Sequence, residues 1–142
     1  VKGAVWHCVL EGTRSAPTYV SHSKDRFDAD KPRKELANHF KQTFGETISQ
    51  TRPDRLAYRL SLDANSADQI AYLSFSFGIL NLLAHDLDLP IREFCSQAFT
   101  KSALSYQGDK FDACDERITN RPPKWGNPEK LAALAAWLTL DA

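Results

Sequence analysis

The sequence contains no methionine, only three cysteines and only six glycines in 142 residues. Cys8, Cys95 and Cys114 are odd in number and far apart, which argues against a disulfide framework and for a reducing, cytoplasmic setting. No CxxC or paired Cys/His spacing reads as a zinc site. Neither GxGxxG nor GxxxxGK occurs, so no glycine-rich loop can cradle a phosphate, and there is no GxSxG elbow. No apolar run has the length of a membrane span, and no charged segment leads into an apolar run as a signal peptide would. The chain opens at Val1, and without any methionine the loss of an initiator residue is expected. Charge of either sign is not in excess, with 18 Lys plus Arg against 18 Asp plus Glu. A generic binder of phosphate backbones is usually basic, so the composition leaves room only for a local basic patch.

What is present suits one globular domain spanning 1–142, with 42% hydrophobic and 25% charged residues. GAVWHCVLEG (3–12) and TYVSHSKDRF (18–27) read as two strands of a hairpin. Asp30 is the expected N-cap of a helix with Pro32 in its first turn, and Leu36, Phe40, Phe44 and Ile48 recur at helical spacing. RLAYRLSL (55–62) reads as a strand with Leu56, Tyr58, Leu60 and Leu62 on one face and Ala57, Arg59 and Ser61 on the other. SADQ (66–69) matches a capping box, opening a helix to about Asp86 that is apolar nearly all round and expected to be buried on more than one side. Ala71, Ser74, Gly78 and Asn81 form a stripe of small side chains along it. IREFCS (91–96) is a short strand, 105–126 lacks clear periodicity and could hide a helix, and a last helix begins with Asn127 as N-cap and Pro128 in first place. The order β-β-α-β-α-β-(variable)-α predicts a mixed sheet flanked by helices, with the strand at Leu56–Leu62 central.

The block YRLSLDANSADQIAYLSFSFGILNLLAHDLDLPIREFCSQAFTKSAL and the helix after NPEK resemble Holliday-junction resolvases of the RuvC type, in the ribonuclease H-like superfamily. The matching order is a strand, a polar link with a Ser-Ala pair, a long helix with Gly78 in its middle, LP, a short strand and a TK. The resemblance implies an α/β, ribonuclease H-like mixed sheet. It also implies two-metal phosphodiester hydrolysis, in which carboxylates gather two divalent cations. The acids implied on the first strand, the second strand and the last helix fall here near Val5 or Trp6, at Arg59 and at Glu129. A guanidinium has no lone pair for a cation. The resemblance therefore implies a degenerate site, no resident metal, and an ion pair of Arg59 with Glu129 or Asp63. Alternatively, Arg59 simply reaches solvent from a polar face.

The other candidates carry less. His7 and Cys8 are strand neighbours and point to opposite faces, so they form no dyad, and Cys8 and Cys95 read as core residues. His85 reads as a helix C-terminal residue. Asp109, Asp112, Asp115 and Glu116 read as a solvated acidic face that matches no calcium loop. Lys101, where the resemblance implies a phosphate-contacting lysine, joins Arg121, Lys124 and Trp125 as a modest nucleic-acid surface.

Three functions stand open. The leading one is a non-catalytic RuvC-like domain that binds nucleic acid weakly, or a protein partner. The second is a magnesium-dependent nuclease with relocated acids, using Asp63 and Glu129 with Glu11 or Asp112. The third is a structural domain whose long helix pairs with a second copy as a homodimer.

Overall fold

A computed structural model describes residues 2–61 and 64–142. The elements in order are β1 (Lys2–Thr13), β2 (Ala16–Asp28), α1 (Arg33–Thr51), β3 (Leu56–Arg59), α2 (Ala67–Asp86), β4 (Ile91–Phe94), α3 (Lys101–Leu104), α4 (Lys110–Arg117) and α5 (Asn127–Thr139), with a 3-10 turn at Ser96–Ala98. Among the described residues no helix is long and apolar enough to cross a membrane.

Strands β1 and β2 form an antiparallel hairpin closed by Arg14 and Ser15. Gly12 makes the turn possible: its φ is +96°, and a Cβ there would stand 2.5 Å from the Ala16 carbonyl oxygen. Strands β3 and β4 form a second ladder. The contacts Leu56 N–H to Pro90 O, Tyr58 to Glu93 and Arg59 to Ser96 advance in the same sense, so this pair is parallel. Both strand senses are present, as expected of a mixed α/β fold. The described strands make two two-stranded ladders rather than one continuous sheet, and β3 is four residues long. The expected strand end at Leu62 lies outside the described residues, as does Asp63.

The chain divides into two compact units. The first holds Val1–Val5, Lys24–Leu56 and Leu60–Ile91. Its core is Phe27, Ala29, Leu36, Phe40 and Phe44, with Tyr72, Phe75, Ile79 and Leu83 packed on it. Phe27 meets Phe40 edge to face with ring centroids 5.0 Å apart, and Phe40 stacks on Phe44 at 5.6 Å. These are the favoured aromatic geometries. The four-residue spacing of Leu36, Phe40 and Phe44 thus buries one stripe of α1, as the sequence predicts. Helix α1 starts two residues later than expected. Pro32 takes the N-cap position, and Asp30 donates its N–H to Asp28 Oδ1 instead of capping. Helix α2 begins as expected, with Ser66 Oγ accepting the Gln69 N–H. It is not buried on several sides. Only Ser76 and Ala84 are fully buried, while Ile70 and Leu82 are 56% and 59% exposed.

The second unit holds Trp6–Ser23, Ala57–Arg59 and Arg92–Ala142. Its core gathers Phe94, Phe99, Leu104, Cys114, Ile118, Leu134, Trp137 and Leu138, with Cys8, Leu10, Tyr19 and Ala57 against it. Helix α5 supplies most of this. Asn127 is its first residue and Gly126 its N-cap, because Glu129 Oε2 folds back onto the Gly126 N–H. Its C-terminal carbonyls, which have no partner inside the helix, are taken by guanidinium groups: Arg14 donates to Leu138 O and Leu140 O, and Arg92 to Leu138 O. Cys95 corrects a sequence expectation. Strand β4 ends at Phe94 and the chain turns, which leaves Cys95 exposed rather than in the core.

Candidate nucleic-acid interface

The stretch 105–126 contains the helix that periodicity did not reveal. Asp109 caps α4 by accepting the Phe111 N–H, and Ala113 and Cys114 bury its inner side. At eight residues, α4 is too short for a convincing stripe. Beyond it, Thr119 pairs with β2: Tyr19 N–H donates to Thr119 O, and Thr119 N–H to Pro17 O. Asn120 then takes a left-handed turn with φ +63°, and 121–125 follow beside Tyr19.

Asp115 organises this loop. Its Oδ1 accepts the Trp125 Nε1–H at 2.8 Å, and its Oδ2 accepts from Lys130 Nζ at 2.9 Å. Its backbone oxygen accepts from Arg121 Nε at 2.6 Å. Burial alone would raise the Asp115 pKa, but the bonds from Lys130 and Trp125 and the charges of Lys130 and Arg121 outweigh it and hold the carboxyl below its usual range. The result is an open depression of about 510 Å³ lined by Asp115, Arg121, Pro123, Lys124, Trp125, Gly126, Glu129 and Lys130. Three cations and one aromatic ring thus share a wall with two carboxylates, each carboxylate already holding donors of the chain itself.

Three of the four residues expected to touch nucleic acid, Arg121, Lys124 and Trp125, are brought together here. Lys101 is not among the lining residues; it is the exposed first residue of α3, whose N-cap Thr100 accepts the Ala103 N–H. Sequence reasoning missed Tyr19, and it read Asp115 as part of a solvated face. The signal available was chemical rather than periodic: a tryptophan N–H and a lysine that would be half-buried need an acceptor.

The residues expected at a former metal site are held differently. Arg59 Nη1 donates to Ser96 Oγ at 3.2 Å. Glu129 is occupied by the Gly126 N–H. The two form no ion pair with each other: Arg59 is engaged by Ser96 from the turn after β4, and Glu129 by the backbone of its own helix start. Asp63, the other expected partner and candidate acid, lies outside the described residues. Among the described residues no three His, Cys, Asp or Glu side chains group closely enough to hold a metal ion. Burial pushes the Cys8 and Cys114 thiols up to about 12, so neither is a thiolate at neutral pH. His7 Nδ1 bonds to Ser23 Oγ. His85 Nδ1 lies 3.3 Å from Asp86 Oδ1 at the exposed end of α2.

No protein-family model matches the chain, and no curated protein does. Solved structures do. One is RuvC of T. thermophilus in complex with a Holliday junction substrate, with a TM-score of 0.69 at 11% identity over 94% of this chain and 91% of that one. Another is Thermus thermophilus RuvC, with a TM-score of 0.70 at 12% identity over 92% of this chain and 82% of that one. Agreement in overall superposition, at so low an identity, shows a shared architecture: the chain has the α/β, ribonuclease H-like fold of RuvC.

Proposed function

We propose that this chain is a non-catalytic RuvC-like domain that binds nucleic acid weakly through the surface around Arg121, Lys124 and Trp125. The observation that carries this reading is their convergence, from a stretch without periodicity, on one open depression. Guanidinium and ammonium groups suit phosphate, and an aromatic ring suits a base. A protein of the same fold has been captured on a Holliday junction, which supports a nucleic acid as the partner. Lys101, exposed on the same unit, is a further phosphate contact in this reading. The absence of catalysis rests on Arg59, standing where the resemblance implies an acid, and on Glu129, engaged as a helix cap.

Titration of labelled branched, duplex and single-stranded DNA over a range of salt tests the binding. Removing one phosphate contact should lower the salt slope by about one unit on duplex DNA. No binding at low salt and high protein concentration would retire the reading. A cleavage assay with magnesium and with manganese tests the rest. Metal-dependent cleavage lost in Glu129→Gln would instead establish the nuclease with relocated acids.

A second reading concerns assembly and is favoured by α2. From Gln69 to Ala84 it carries no charged side chain. Its exposed Ile70 and Leu82 flank Ser74 and Gly78, and a Cβ at Gly78 would meet nothing within 4 Å. A two-fold interface sets a patch against itself, which an uncharged face tolerates and a face of one charge does not. We infer pairing with a second copy through this face. Light scattering with size exclusion should report a dimer that Leu82→Glu converts to monomer; a wild-type monomer at high concentration rejects it.

A further inference from the structure

Trp125 is built into its surface in a way that a phosphate contact alone does not require. Its Nε1–H is tied to Asp115, and its ring meets Tyr19 at 88° with centroids 5.9 Å apart. Tyr19 in turn meets the exposed His22, with centroids 5.8 Å apart and a bond between the Tyr19 hydroxyl and His22 Nδ1. Three rings therefore run in a row on one unit, from the wall of the basic depression outward along β2. The indole is fixed before any ligand arrives, so stacking on it costs little further side-chain entropy.

From this we infer that the surface selects unpaired bases: the fixed Trp125 ring stacks a base of single-stranded nucleic acid while Arg121 and Lys124 hold the neighbouring phosphates. Inside a duplex both faces of a base are covered by its neighbours, so such a ring has nothing to stack on. The depression, at about 510 Å³, lies in the size range of sites for single small ligands and takes one nucleotide rather than the side of a double helix. The charge balance agrees. Two carboxylates share the wall with three cations, which leaves phosphate attraction modest and gives stacking the larger part of the discrimination. The inference rests on the nucleic-acid reading above and adds the class of strand that the site takes.

Anisotropy titrations compare a labelled oligothymidine, the same strand with abasic sites, and a blunt duplex, for the unmodified chain, Trp125→Leu, Trp125→Phe and Arg121→Gln/Lys124→Gln. The unmodified chain should bind the intact strand about 5- to 150-fold more tightly than the abasic one, the range for losing one aromatic–base stack. Trp125→Leu should remove that difference and leave abasic and duplex binding unchanged. Trp125→Phe keeps a ring and should keep most of the preference. The double charge variant should weaken all three ligands together. Equal binding of intact and abasic strands by the unmodified chain overturns the stacking inference, and needs no variant to fold. If charge removal weakens every ligand while Trp125→Leu changes none, the stacking inference fails and the nucleic-acid reading stands. If the unmodified chain binds none of the three, both fail.

Discussion

Helices α2 and α5 are alike on paper and opposite in the structure. Both are rich in alanine and leucine, and both open with a clear cap or a proline. Yet α5 buries six of its 13 residues, among them Leu134, Trp137 and Leu138, while the 20 residues of α2 bury only Ser76 and Ala84. The difference lies in what surrounds each helix. In its unit α5 is wrapped by α3, α4, β4 and the hairpin, and its C-terminal carbonyls are held by Arg14 and Arg92. Among the described residues helix α2 packs mainly on one stripe of α1, with Phe27 of β2 against Tyr72. Apolar composition thus reports how much surface wants cover, and the fold decides how much of it the chain covers itself.

The sharpest way to break this comparison is truncation of a fully buried side chain. Trp137→Ala should destabilise the chain by about 3–5 kcal/mol, measured by urea unfolding. If 1–142 behaves as the one domain expected from its length, far-UV dichroism and tryptophan fluorescence will give coincident transitions. Separate transitions would mean that the two units unfold independently.

Next comes Gly3, where a Cβ would stand 2.5 Å from Phe27 Cζ. Gly3→Ala must displace that ring from its contacts with Phe40 and Tyr72, at a cost of about 1–3 kcal/mol. Thermal unfolding reads it, and an unchanged midpoint would show that the ring has room to move.

A smaller effect is expected at Asp115. Its pKa is held below the usual carboxylate value in the folded chain, so its contribution is fully present above about pH 4 and is lost as pH falls through the folded value. Because the carboxylate is partly solvated, the loss is at most about 1 kcal/mol. Asp115→Asn should therefore lower stability at pH 7, and the difference from the unmodified chain should shrink as pH falls through the folded value. Smallest of all, Leu82→Ala on the open face of α2 should change the stability of the isolated chain by no more than about 0.5 kcal/mol. A loss comparable to that of Trp137→Ala would show that α2 is covered after all.

The same contrast explains what could be read from the sequence. The stripe Leu36–Phe40–Phe44 and the Ser66 cap are local, since spacing and side-chain type suffice to place them. The start of α5 was legible to within one residue, because Asn127 and Gly126 both suit an N-cap and only the reach of Glu129 decides between them. The depression was legible in part. Arg121, Lys124 and Trp125 stand close together in the chain, so their clustering showed. Tyr19, Asp115 and Lys130 come from three other segments, and no period links them. Arg59 stood out on its strand in the sequence, but its partner Ser96 is 37 positions away and carries no charge to advertise it.

The Arg14 clasp also bears on the order of assembly during synthesis. Arg14 N–H and its guanidinium find their acceptors at Asp141, Leu138 and Leu140, and Trp137 Nε1–H finds the Arg14 carbonyl. These bonds join positions more than 120 residues apart. The hairpin turn leaves the ribosome before α5, at about 5–20 residues per second, and must then wait for α5 to emerge before it can be sealed. Contacts of such long range form late and slow the folding of the whole chain. Until then the Arg14 N–H and guanidinium lack the carbonyl acceptors that the end of α5 supplies, so the turn stays unsealed through that interval.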